Sequence, residues 1–128
     1  MADALTRPDL TATPWQEMKP GLKYHDEVPG AADGKVVQAG GRVKVHYTGW
    51  LTDATATIFD SSVKRGEPIE FGLNQVIVGW KDGLVGMKVG GTRVLHLAPE
   101  VAYGPRGAGG KIGPNATLVF RVQLLETR

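Results

Sequence analysis

The sequence predicts an α+β fold, an antiparallel sheet of about five strands wrapped around one short α-helix. Several segments alternate apolar and polar residues with the period of a half-buried strand. Only one stretch carries helical spacing. The strands do not alternate with helices, which argues against a doubly wound parallel sheet. At 128 residues the chain is long enough for one domain with a real core.

Taken in order, residues 1–20 hold Pro8, Pro14 and Pro20 and no sustained period. They read as a flexible N-terminal extension in which Trp15 is an incidental aromatic, and the domain proper is 21–128. Leu22, Tyr24 and Val28 outline a first strand, ended by the turn Pro29-Gly30. Arg42 to Trp50 is a clear strand, with Val43, Val45 and Tyr47 on one face and Lys44, His46 and Thr48 on the other. Thr52 to Thr57 is a loop, and Ile58-Phe59 is a short apolar touch before the turn formers Asp60-Ser61-Ser62. Asn74 to Val85 is the helix. Asn74 suits an N-cap, and Val76, Ile77, Trp80 and Leu84 make one apolar stripe. Gly79 and Gly83 each cost it roughly 1 kcal/mol against Ala. Thr92 to Ala98 is a strand stopped by Pro99, and Tyr103 to Pro114 is a long Gly/Pro loop of the kind that is usually functional or mobile. Thr117 to Glu126 is the best strand. Leu118, Phe120, Val122 and Leu124 alternate there with Val119, Arg121 and Gln123, which predicts one buried face and one wet face.

Composition excludes several classes. Fifteen basic residues scattered among thirteen acids leave a net charge of +2, which argues against a nucleic-acid surface. The absence of cysteine excludes disulfides and thiolate chemistry. No run resembles a signal-peptide core or a membrane span, so a cytoplasmic protein without membrane partners is expected. The three histidines, His25, His46 and His96, show no metal-ligand spacing, and His46 and His96 read as solvated sheet decoration. Ser61 and Ser62 lack a nucleophile elbow. The loop Gly104 to Gly113 fails the phosphate-loop pattern, with Pro105 at the first glycine position and Ile112 at the hydroxyl position. No metal and no cofactor are expected.

What remains is a set of aromatics, Tyr47, Phe59, Phe71, Trp80, Tyr103 and Phe120. Phe71 reads as core. The others suit a concave apolar site with a few polar groups, although periodicity alone does not separate pocket from core.

The segments Val45-His-Tyr-Thr-Gly-Trp-Leu51, Phe59-Asp-Ser-Ser62, Val76-Ile-Val-Gly-Trp80, Ala102-Tyr-Gly104 and Ala116-Thr-Leu-Val-Phe120 resemble, in order and spacing, the FKBP-type peptidyl-prolyl cis–trans isomerases. Gly21-Leu-Lys-Tyr24 is similar to the start of bacterial single-domain members, and the resemblance runs from Gly21 to Glu126. It implies an antiparallel sheet around a short helix and an isomerase acting on X-Pro bonds. It implies Trp80 as the floor of a proline pocket, with Tyr47, Phe59, Val76, Ile77, Ile112 and Phe120 as walls. Asp60 and Tyr103 would be the catalytic polar groups, with Asp60 either a partner for Arg65 or a direct participant. Partners implied are proline-containing peptides, unfolded protein clients and macrolides such as tacrolimus and rapamycin, met by a monomer. There are departures from the family pattern. Ile69 stands where many members carry a pocket Phe, Ala108 where some carry a His, and the loop Thr52 to Ile58 is longer than usual. The competing reading is a proline-peptide binding module or folding chaperone without useful turnover. A carbohydrate- or nucleic-acid-binding β domain would want a row of exposed aromatics or a basic stripe, and the sequence has neither.

Overall fold

A computed structural model of the chain describes residues 4–128. One antiparallel sheet is built from β1 (Gln16–Lys19), β2 (Leu22–Val28), β3 (Arg42–Leu51), β4 (Ile58–Ser61), β5 (Ile69–Gly72), β6 (Thr92–Leu97) and β7 (Leu118–Thr127). The order across it is β1-β2-β6-β7-β3-β4, and β5 pairs with β3 further along the edge that β4 occupies. Two short helices complete the fold, α1 (Ser62–Arg65) and α2 (Val78–Gly83).

The antiparallel sheet around a short helix is as expected, but the sheet has seven strands and there are two α-helices among the described residues. The additional elements are too short to show a period. β5 has four residues, of which only Ile69 and Phe71 carry apolar side chains, and it is fixed by its pairing with Arg42 to Val45. α1 is a single turn that no helix propensity would sustain. It is held by its ends: Ser61 Oγ accepts from Lys64 N, and Gly66 at φ 80° turns its amide onto the carbonyls of Ser62 and Val63.

The main helix is shorter than its stripe predicts. Leu73–Gln75 forms a 3-10 turn, Val76 and Ile77 are extended, and α2 begins only at Val78. Asn74 therefore does not cap it. The helix is capped by the Ile77 carbonyl, which accepts from the amides of Trp80 and Lys81. Trp80 and Leu84 are buried as expected. The two helix glycines have a packing reason. A Cβ at Gly79 would lie 2.2 Å from Leu97 Cδ2, and one at Gly83 would lie 3.0 Å from Leu95 Cδ2. Bare backbone lets α2 lie directly on β6, and this close approach sets the depth of Trp80 over the sheet. Arg93, on the same side of β6, donates to the carbonyls of Gly83 and Val85 at the end of α2 and makes a paired contact with both Asp26 oxygens. A buried guanidinium thus satisfies helix carbonyls that would otherwise lack partners.

Val43, Val45 and Tyr47 of β3, Leu95 and Leu97 of β6, and Leu118, Phe120, Val122 and Leu124 of β7 join Trp80 and Leu84 in the main core. Each fully buried side chain of this kind contributes about 1.5–3 kcal/mol.

The opposite face is not the wet face that the alternation of β7 predicts. Trp50, Val94 and Val119 stand there outside the main core and are fully buried, and Arg121 is buried beside them. Residues 4–15, the greater part of the expected extension, lie against this face. Arg121 Nη1 donates to the Thr6 carbonyl while its Nε and Nη2 hold Glu27 at 2.6 and 2.8 Å. Its guanidinium lies 5.6 Å from the centre of the Trp50 ring. Arg7 Nη1 donates to the carbonyls of Leu51 and Asp53, each at 2.8 Å. Pro8 is buried, and Trp15 packs edge-on to His96 at 5.5 Å while its Nε1 donates to the Leu10 carbonyl. Residue 20 is no structural boundary either, since β1 before it pairs with β2 after it. Residues 1–3 of the expected extension lie outside the described residues.

His96 is consequently half-buried and not solvated, and that burial, with the charge of Lys23, holds its pKa below the ordinary histidine value. His46 is also half-buried, with Nδ1 3.0 Å from Ser62 Oγ. Among the described residues no helix is long and apolar enough to cross a membrane.

Candidate active site

Where the sheet passes under the start of α2, a cavity of ≈ 310 Å³ opens, lined by Tyr47, Phe59, Asp60, Phe71, Gln75, Val76, Ile77, Trp80, Tyr103 and Phe120. Its base is a group of rings meeting edge to face. Trp80 lies 5.2 Å from Tyr47, 5.3 Å from Phe71 and 5.4 Å from Phe120, at interplanar angles of 90°, 76° and 84°. Phe59 meets Phe120 at 5.4 Å and 89°. Edge-to-face contacts of this kind add roughly 0.5–1.5 kcal/mol each beyond area burial, so the wall is held firmly.

Each element delivers its side chain for a local reason. Tyr47 and Phe120 lie on the inner face of the paired central strands β3 and β7. Between the pairs Gly49↔Asp60 and Trp50↔Ile58, one step along β3 spans two along β4, which leaves Phe59 as the extra residue of a bulge. A bulge re-aims side chains, and here two successive residues, Phe59 and Asp60, line the same cavity. The break between the 3-10 turn and α2 does the same for Val76 and Ile77. Both are extended, both reach the cavity, and the Ile77 amide has no hydrogen-bond partner among the described residues.

The polar edge is a closed triad. Tyr47 OH donates to Asp60 Oδ2 at 2.5 Å, Arg65 Nη1 donates to Asp60 Oδ1 at 2.5 Å, and Arg65 Nη2 donates to the Tyr47 oxygen at 3.3 Å. Burial pushes the Asp60 carboxyl up, but the hydrogen bonds from Tyr47 and Arg65 and the Arg65 charge outweigh it and hold the pKa below the ordinary value. Tyr47 is pushed up to about 12 by burial and by its bond to Asp60. At neutral pH the triad is therefore carboxylate, phenol and guanidinium. Tyr103, which is 38 % exposed, is raised by burial and by the Asp60 charge and so stays protonated. Its hydroxyl makes no hydrogen bond among the described residues, which leaves it a donor facing the cavity.

The cavity brings together Tyr47, Phe59, Asp60, Val76, Ile77, Trp80, Tyr103 and Phe120. Ile112 is not among its lining residues. It faces an adjoining hollow with Phe59, Asp60, Tyr103 and Ala108, on the loop that the bridge between Ala108 and Ile112 closes. Phe71, which reads as core in the sequence, lines the cavity, whereas Ile69 packs against the core and does not. Phe71 and Ile69 lie two apart in a strand of four residues, so no period ranks one above the other. Gln75 at the rim carried no signal at all. A larger hollow of ≈ 520 Å³ lies on the outer face, lined by His25, Glu27, His46, Arg121 and others. Its Arg121 is bound by Glu27 and Thr6, its His46 contacts Ser62, and it lacks the edge-to-face aromatic floor of the inner cavity.

The chain is similar to known proteins over most of its length. The pattern that defines FKBP-type peptidyl-prolyl cis-trans isomerase matches residues 34–125. FK506-binding protein 1 of Dictyostelium discoideum is 52% identical over 94 residues, covering 72% of this chain and 86% of that protein. A probable FKBP-type peptidyl-prolyl cis-trans isomerase of Haemophilus influenzae is 47% identical over 106 residues, covering 83% of this chain, and the chain spans only 42% of that relative's length. The crystal structure of a peptidyl-prolyl cis-trans isomerase from Pseudomonas syringae pv. tomato superposes with a TM-score of 0.79 at 36% identity, covering 91% of this chain and 83% of that one.

Proposed function

The chain belongs to the FKBP-type peptidyl-prolyl cis-trans isomerase family, and on that premise we propose that it accelerates cis–trans isomerisation of X-Pro bonds in peptides and unfolded clients, with the aromatic cavity as its active site. The observation that carries this reading is a ring-walled cavity beside whose closed Tyr47–Asp60–Arg65 triad the Tyr103 hydroxyl and the Ile77 amide are left open as donors.

The chemistry needs no nucleophile. Rotation about an X-Pro bond is opposed by amide resonance, a barrier of about 18–20 kcal/mol. Uncatalysed exchange takes tens to hundreds of seconds. A planar amide is more dipolar than a twisted one, so water favours the planar form. In a cavity floored by Trp80 and walled by Tyr47, Phe59, Phe71 and Phe120, that preference is withdrawn. The twisted state is then bound better than the ground state, which is catalysis by differential binding. Each ~1.4 kcal/mol of such preference is worth about tenfold in rate. The Ile77 amide and the Tyr103 hydroxyl donate to substrate carbonyls. Asp60 acts by fixing Tyr47 through its hydrogen bond at the cavity edge.

The same cavity suits an apolar macrolide that presents carbonyls to these two donors, as the names of relatives called FK506-binding protein suggest for those proteins. Tacrolimus or rapamycin should inhibit X-Pro exchange competitively, with full loss of catalysis at saturation. Exchange that persists on macrolide-saturated protein would place the activity elsewhere on the molecule.

A further inference from the structure

Gly49 lies inside β3 opposite the bulge, paired with Asp60 on one side and with Phe120 on the other. A glycine in a strand interior costs stability and has no side chain to pack, so it marks a bulge or a close approach. Here it marks both. A Cβ at Gly49 would lie 2.5 Å from Phe59 Cζ, 2.8 Å from Phe120 Cε1 and 3.0 Å from Phe59 Cε1. The space where its side chain would stand is the space in which the two rings meet at 5.4 Å.

We propose that Gly49 is a positioning residue of the isomerase pocket: the missing side chain lets Phe59 and Phe120 close one wall against each other over bare backbone. The inference rests on the reading of this cavity as the proline site. The two rings differ in their freedom to yield. Phe120 is 4 % exposed and is held by Trp80 and Tyr47 as well. Phe59 is only half-buried, on a four-residue strand at the sheet edge. A methyl group at position 49 therefore displaces Phe59 the most, while Phe120, 2.8 Å from the added carbon but held by Trp80 and Tyr47, shifts less. The wall opens while the core beneath it survives. Asp60 follows Phe59 in the chain, so the polar edge is disturbed with it.

The test is a double-mutant cycle in the full chain, with Gly49→Ala, Phe59→Leu and the pair, read by melting temperature and by kcat/KM on an X-Pro peptide. Displacement of a reacting group's surroundings by about 1 Å is worth up to a hundredfold, so Gly49→Ala should lower kcat/KM of folded protein by about tenfold or more. In the Phe59→Leu background, where the shorter side chain removes the closest of the contacts and only the one with Phe120 remains, the same change should cost less in both kcat/KM and melting temperature. A folded Gly49→Ala protein with the activity of the parent would overturn the proposal. So would costs that multiply in the two backgrounds to within about twofold, the margin within which independent sites add. If the parent chain itself shows no catalysis, the functional reading fails, and the melting temperatures still decide whether Gly49 sets the ring positions.

Discussion

Removing residues 1–15 should lower the melting temperature by on the order of 10 °C, because residues 4–15 cover a buried surface. Trp50, Val94 and Val119 are fully buried on the outer face of the sheet, against which this segment lies. Truncation also takes the Thr6 carbonyl from Arg121, the Arg7 donors from Leu51 and Asp53, and the Trp15 ring from His96. Ordering a dozen residues costs entropy, which deletion recovers. Even so, exposing one large apolar side chain costs about 1.5–3 kcal/mol, and more than one is uncovered. Trp50 gives a local readout: compared with a full chain carrying Trp15→Phe, which keeps the same two tryptophans, the emission should shift to the red in native buffer once the cover of Trp50 is gone. A truncated chain with the parent's melting temperature and an unshifted Trp50 would show that the sheet does not need this segment.

The second large effect is on activity. Trp80→Leu should leave a folded protein and reduce kcat/KM by about tenfold or more, a differential loss of ~1.4 kcal/mol or more in the transition state. Truncating a buried Trp to Ala typically costs about 3–5 kcal/mol. Leu keeps an apolar side chain on the buried face of α2 and so should cost less. It cannot restore the edge contacts with Tyr47, Phe71 and Phe120, and water enters where the indole stood. Circular dichroism, thermal melting and kinetics on one preparation separate the two effects. Activity lost only in proportion to unfolded protein would make Trp80 a core residue and nothing more.

The sequence carried the antiparallel sheet and most of the cavity, because both rest on strong local patterns. The alternation of β3 and β7 placed Tyr47 and Phe120 on the inner face, and the helical stripe placed Trp80 opposite them. Three features were hidden, each for a physical reason. Residues 4–15 hold on through backbone carbonyls and single side chains, which leaves no period to read. Trp50, Val94 and Val119 were the available signal, since apolar residues on both faces of β3, β6 and β7 mean that both faces are covered. The bulge at Phe59 depends on how β3 and β4 pair, which no local pattern in either strand states. Phe71 and Ile69 share one face of a very short strand, and only the packed structure shows which of them reaches the cavity.

The most direct measurement is two-dimensional exchange NMR on an X-Pro peptide, with the protein present at about a hundredth of the peptide concentration. Without catalyst, cis and trans resonances exchange over tens to hundreds of seconds and give no cross-peaks at sub-second mixing times. Catalysis at the aromatic cavity should give cis–trans cross-peaks at those mixing times that grow with protein concentration. A binding module would shift or broaden the resonances of one isomer and leave the exchange rate at its uncatalysed value, and that outcome would contradict the account.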